Sequence, residues 1–276
     1  MPRMQPPTGW LRNSEVTTRL QIADSLLARY VAEGKIRHHI PHGRKYGFYN
    51  EDDVRALEEA QRVFPSMKQH KTYQSFLTIA NRSDIPTLAR IDHDAIHPTD
   101  SSYLDASFLQ WHQKNPEILF SLRNTSGTIV GFFCILPLQK NPLDHILAGT
   151  GGILSNENIA LFTPGNTIHL FVGALAVDPS VSLVAKHTYG AALLFGFFRF
   201  LMTLAERGVS IETITARSHT HDGIKLMRRI GIPWLISPNP ESELFSVRVA
   251  ESGIPFLKRY RKKLAESLAR QESKIK

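Results

Sequence analysis

Residues 167–192 read TIHLFVGALAVDPSVSLVAKHTYGAA, and this stretch decides the fold. Thr167 to Val177 is an apolar run of strand length that stops at Asp178-Pro179. Lys186 to Arg207 then reads as a long helix whose opening positions are small. Free backbone N–H groups and the helix dipole at His187 to Ala192 would cradle a pyrophosphate there, with Gly190 and Ala192 letting the backbone come close.

Working outward, Phe76–Ala80, Ile118–Arg123, Thr128–Leu136 and Ile211–Ala216 read as strands. Ile85–Ile96, Ala106–Gln113 and Asp222–Ile230 read as helices, with a short one at Asn141–Ala148. The alternation predicts an α/β (α+β) domain over 76–250, a mixed sheet flanked by helices. Tyr189 to Ala205 is the one stretch to weigh as a membrane span. Its length of about seventeen residues and Arg199 at its middle favour a buried core helix, so no membrane partner is expected.

Three segments, GALAVDP at 173–179, HTYGAA at 187–192 and GIKLMRRIGI at 223–232, resemble motifs of the GNAT N-acetyltransferase superfamily. The likeness spans roughly 76–250 and implies acetyl-CoA as cofactor. In that family the strand's end splays from its neighbour and pairs with the pantetheine arm, which implies Leu175, Ala176 and Val177 beside the cofactor and Gly190, Ala192 and His187 at its phosphates. Three departures stand out. Ser180 to Lys186 is longer than the family's loop; His187 replaces the customary Gln or Arg, with Lys186 to compensate; and Met227 occupies the place of a proton-donating tyrosine, where a thioether cannot donate. His169, the only titratable residue of the strand before Asp178, reads as structural, and no catalytic residue or general base is assigned. The cluster Ser218, His219, His221 and Asp222 reads as a loop capping the helix from Asp222. HILAGTGG at 145–152 lacks the lysine and preceding strand of a P-loop, and Cys134 in an apolar strand reads as a buried thiol.

The N-terminal part has a different grammar. Asn13 or Ser14 opens a short helix with Val16 and Leu20 on one face. A second helix starts at Ala23 or Asp24, carries Leu26, Leu27, Tyr30 and Val31, and ends at Gly34. Residues 35–50 read as a hairpin turning at Pro41, His42 and Gly43, and Asn50 caps a third helix with an acidic first turn and Val54, Leu57, Ala60 and Phe64 inward. Residues 10–64 resemble the winged helix-turn-helix of MerR-like and excisionase-like DNA-binding domains. The resemblance implies double-stranded DNA as partner, with Ser25, Ala28 and Arg29 toward base edges and Lys35, Arg37, His38, Arg44 and Lys45 on phosphates. His38, His39 and His42 lack cysteine or acidic companions, so no metal site is expected. Residues 65–75 read as a linker, and 251–276 as a basic helix with Phe256, Tyr260, Leu264 and Leu268 on one face.

The 276 residues carry a net charge of +8, distributed as +4 over 1–75, −4 over 76–180 and +8 over 181–276. One cysteine excludes an intrachain disulfide framework and points to a reducing, cytoplasmic compartment, and the Pro-rich start is no secretory signal. The expectation is a DNA-binding, nucleoid-associated regulator or mobile-element accessory factor whose GNAT-like domain binds acetyl-CoA or a partner. A homodimer is expected if DNA recognition is specific. The alternative is an active acetyltransferase localised or autoregulated through its DNA-binding domain.

Overall fold

The computed structural model describes residues 5–41, 47–63, 75–96, 104–147, 156–235 and 242–275. Its first elements are β1 (Trp10–Leu11), α1 (Asn13–Leu20), α2 (Asp24–Ala32), β2 (His38–His39), β3 (Phe48–Asn50) and α3 (Glu51–Val63). Gly34 ends α2 at φ +65°, the left-handed region where glycine is free of Cβ strain. Asn50 Oδ1 accepts the Asp53 N–H at 3.1 Å and so caps α3, as its position before three acidic residues predicts. β1, absent from the sequence reading, completes a small antiparallel sheet in the order β1-β3-β2. Phe64, Arg44, Lys45 and nearly all of the expected linker lie outside the described residues.

The larger unit comprises β4 (Ser75–Ile79), α4 (Ile85–Ala95), α5 (Leu104–Lys114), β5 (Leu119–Asn124), β6 (Ile129–Leu138), α6 (Pro142–Leu147) and β7 (Thr167–Val177). α7 (Leu183–Glu206), β8 (Ser210–Ser218), α8 (His221–Ile230), β9 (Trp234–Leu235), β10 (Glu243–Arg248) and α9 (Pro255–Ile275) follow. The strands form one seven-stranded mixed sheet, β4-β5-β6-β7-β8-β10-β9, in which only β7 and β8 run parallel. The expected mixed sheet flanked by helices is therefore present.

Alternation along β6 sends Phe133 to the α7 face, where it meets Phe197, and Phe132 to the opposite face, where it meets Phe108 of α5. α7 is the one helix among the described residues long and apolar enough to cross a membrane, and 89% of its apolar window is buried inside the protein. α9 lies beside it: Phe256 stacks on Phe198, and the Tyr260 hydroxyl donates to the Val209 carbonyl while accepting the Ile211 N–H.

α3 is held between α7 and α9 by charge as well as by Val54, Leu57 and Ala60, all fully buried. Lys263 of α9 pairs with Asp52 at 3.0 Å and Arg259 with Glu59 at 2.5 Å. Asp53, 2% exposed, receives Arg37 at 2.9 Å and Arg199 at 3.7 Å. Arg199 also donates to the Gly34 carbonyl, which explains a cation in the middle of an apolar helix: it is the attachment point of the N-terminal unit.

Candidate functional site

The most distinctive backbone feature is where β7 and β8 part. Their parallel ladder runs from Thr167↔Ser210 to Val172↔Ala216 and ends there. Gly173 to Val177 continue along β6, with Leu175 opposite Phe133 and Val177 opposite Gly131, while Arg217 and Ser218 follow β10. A bulge between Cys134 and Ile135 falls at the parting, and bulges bend a strand and increase its twist. The result is a wedge, open on the β8 side of Gly173–Val177. Ladder groups on such an edge are donors and acceptors for another extended chain. The splay implied by the sequence resemblance is thus observed, and Leu175, Ala176 and Val177 lie along it.

The end of β7 is clamped. Asp178 is buried, its N–H donates to the Val130 carbonyl, and its carboxylate accepts Ser180 N–H at 2.9 Å, Ser180 Oγ at 2.6 Å and Arg90 Nη2 at 2.6 Å. Burial by itself would raise the Asp178 carboxyl, but the hydrogen bonds from Ser180 and Arg90 outweigh it and hold it below the usual carboxylate range. Gly131 sets the tightness on the other side: a Cβ there would sit 2.8 Å from the Ala176 carbonyl oxygen and 3.1 Å from Leu193 of α7.

The structure corrects where α7 begins. Ser182 is its N-cap, its Oγ accepting the Ala185 N–H at 3.3 Å, so the helix starts at Leu183 and not at Lys186. His187, Gly190 and Ala192 stand in the second and third turns, where their N–H groups are spent on intrahelical bonds; Gly190 and Ala192 are buried and His187 is exposed. With the Ala185 N–H on Ser182 Oγ and the Lys186 N–H on the Ser182 carbonyl, the first-turn donors outside these bonds belong instead to Leu183 and Val184. Leu183 is 69% exposed and Val184 43%, so this helix start opens to solvent six residues after the wedge strand ends. Ser182, after Asp-Pro-Ser-Val and before an apolar run, is a recognisable helix-start signal in the sequence.

Chemistry-bearing side chains near the wedge are few. His169 Nδ1 lies 3.0 Å from Thr213 Oγ1, and its Nε2 is 3.7 Å from Glu212. Cys134 is fully buried, and desolvation followed by the nearby Asp92 charge pushes its thiol far up, so it is no nucleophile. Met227 is buried in α8. Thr220, inside the loop expected to cap α8, does so by accepting the Gly223 N–H, Ser218 leans on Thr220, and His219 Nε2 contacts the Ile96 carbonyl at the end of α4.

The second group of expected contacts lies on the N-terminal unit. Ser25 and Ala28 are exposed on the outer face of α2 while Leu27 and Tyr30 are buried. The basic residues are mostly spoken for. Arg29 and Lys35 both pair with Glu33, at 3.5 and 2.6 Å, and Arg37 is bound to Asp53 and Asn50. His38 stacks on Tyr49 at 4.6 Å; burial and then the neighbouring His39 lower its pKa from the ordinary 6.5.

No protein-family model matches the chain, and no curated protein matches it in sequence. Solved structures resemble it over about three fifths of its length. The C-terminal condensation domain of Ebony, in complex with beta-alanyl-dopamine, aligns with a TM-score of 0.43 and 9% identity over 64% of this chain and 100% of that one. A structure described as histone acetyltransferase HPA2 and related acetyltransferase, from Corynebacterium glutamicum, aligns at 0.38 and 19% over 62% and 94%. Chaetomium thermophilum Naa20, in complex with a bisubstrate analogue, aligns at 0.39 and 14% over 62% and 84%. Each is a partial likeness in fold.

Proposed function

We propose that the wedge binds the pantetheine arm of an acyl-CoA, acetyl-CoA in the simplest case, and that the chain is an acyl-CoA-dependent transferase or an acyl-CoA-responsive protein. The observation that carries this reading is the parting of β7 from β8 after Val172↔Ala216. An extended arm with amide groups satisfies the open edge of Gly173–Val177 as a strand would. The diphosphate would meet the start of α7, where the backbone N–H groups of Leu183 and Val184 and the helix dipole favour an anion and the Lys186 side chain adds charge. The bound cofactor would supply an activated thioester. The chain's own part is to align the arm along β7, keep that strand in place through Asp178 and Arg90, and hold the phosphates. Calorimetry with acetyl-CoA tests this: micromolar binding, weakened at least about tenfold in Val184→Glu, supports it. No binding at millimolar ligand overturns it.

A second reading concerns the N-terminal unit, which we infer is a winged helix-turn-helix that docks the protein on DNA and so on the nucleoid. What favours it is the exposed outer face of α2 after the tight turn Gln21–Ala23. Ser25 and Arg29 would address base edges, with His38, Arg44 and Lys45 as the phosphate set from which affinity draws its salt dependence, Lys35 and Arg37 being held by Glu33 and by Asp53 with Asn50. Fluorescence anisotropy with a duplex is the test. Affinity that falls with salt, with a shallower slope in Arg44→Ala/Lys45→Ala, supports the reading; salt-independent or undetectable association removes it.

A further inference from the structure

Past the last pair of the parallel ladder, Val172↔Ala216, the next residue of β8 is Arg217, so it borders the apex of the wedge where Gly173 leaves with β6. Arg217 is exposed and makes no hydrogen bond or ion pair among the described residues. We propose that this free guanidinium selects the acyl group, and that the thioester taken by the wedge ends in a carboxylate on a short acyl chain, as malonyl-CoA and succinyl-CoA do. The inference rests on the acyl-CoA reading of the wedge and narrows it to one class of thioester.

The register fixes which way Arg217 faces. β8 pairs with β10 without a break from Thr213↔Arg248 to Ser218↔Glu243, so side chains alternate and Thr213, Thr215 and Arg217 share one face. Thr213 Oγ1 lies 3.0 Å from the ring of His169, and His169 is opposite Leu138 of β6. Leu138 is on the same side of β6 as Phe132, the side that α5 covers. Arg217 therefore points away from α7. With the diphosphate at the start of α7, the arm would run along β7 from Val177 toward Gly173 and bring its thioester to the apex, so that the acyl group emerges beside Arg217. The neighbouring carboxylates do not cancel this charge. Asp94 and Asp178 are both held by Arg90, at 3.0 and 2.6 Å, and Glu243, opposite Ser218, is held by Arg228 at 2.8 and 3.0 Å. Glu212 is 3.7 Å from His169, and Asp92, buried in α4, acts on Cys134 of β6, two strands away from β8. A guanidinium presents a planar fork that grips a carboxylate bidentately, and an acetyl group offers it no such partner.

The test is calorimetric titration of the whole protein with malonyl-, succinyl-, acetyl- and butyryl-CoA, in the wild type, Arg217→Ala and Arg217→Lys. Butyryl-CoA matches the chain length of succinyl-CoA without its charge, and thermal melting checks that the variants fold. The expected result is that one of the two carboxylate thioesters binds at least about tenfold tighter than butyryl-CoA. Arg217→Ala should remove that difference by weakening the carboxylate thioester while leaving acetyl- and butyryl-CoA unchanged, and Arg217→Lys, which keeps the charge but not the fork, should retain part of it. Acetyl- and butyryl-CoA binding as tightly as the carboxylate thioesters, or a preference that survives Arg217→Ala, overturns the inference and leaves the acyl-CoA reading in place. No binding of any of the four at millimolar ligand overturns both.

Discussion

The root of the N-terminal hairpin and the corner where α3, α8 and α9 meet are both rich in arginine, yet one buries the acceptor of its cations and the other holds its cations at the surface. At the hairpin, Arg37 and Arg199 converge on the buried Asp53 and Lys35 on Glu33, so the cations serve as fasteners inside the chain. At the corner, Arg62, Arg229 and Arg248 are exposed, and the pair Arg248–Glu251, 3.4 Å apart, has side chains 72% and 71% exposed, so water screens it. Counting charges along the chain gives both regions the same reading. Whether a cation is available to a partner depends on carboxylates that the fold brings from far away, Asp53 to Arg199 across 146 positions of sequence.

The largest effect that would break this comparison is at its pivot. Asp53→Ala strips Arg37 and Arg199 of their shared buried acceptor and should cost about 3 kcal/mol, read as a lowered urea midpoint. An unfolding free energy within about 0.5 kcal/mol of wild type would mean the arginines are not fasteners. Next in size, Gly131→Ala presses against the Ala176 carbonyl and Leu193. Overpacking of this kind costs about 1–3 kcal/mol and should weaken acetyl-CoA binding with it, because the displaced strand is the wedge's own edge. Val184→Glu sharpens the contrast from the other side. An acidic residue in the first turn of α7 leaves melting unchanged or slightly raised while repelling a diphosphate, so affinity and stability should move apart.

Arg37→Ala should lower stability but leave the salt slope of any DNA binding unchanged, since its guanidinium is occupied by Asp53 and Asn50; a reduced slope would return it to the phosphate contacts. The smallest effect is at His38. Its folded pKa is depressed below the ordinary 6.5, so the folded state holds fewer protons than the unfolded state as the pH falls through that range. The corresponding stability is present above about pH 6.5 and is lost as pH drops through the folded value, a loss that His38→Gln should abolish in melting curves at stepped pH.

How much of this was legible in the sequence varies with the kind of signal. β7 was bounded correctly because an unbroken apolar run ending at Asp178-Pro179 has two sharp edges. α7 was right in kind and three residues late, since its first turn, Leu183 to Lys186, is as apolar as a loop after a strand can be and only the Ser182 cap marks the true start. That small shift moved the expected phosphate cradle a full turn, away from His187 and Gly190. β9 and β10 were not foreseen; β9 is two residues long and is defined by its pairing with β10, not by a pattern of its own. The parting of β7 and β8 was expected from the family resemblance, whereas the Arg90–Asp178 clamp, joining residues 88 positions apart, has no local signature. Long-range pairs of this kind decide which charges remain for a ligand, and they are what a single sequence withholds.

Amide hydrogen exchange with and without acetyl-CoA tests the central claim most directly. The account predicts slowed exchange along Gly173–Val177 and at the first turn of α7, Leu183–Lys186, with Ser210–Ala216 of β8 unchanged. Protection that is absent from both segments, or that falls on β8 or on the N-terminal unit in their place, would contradict it.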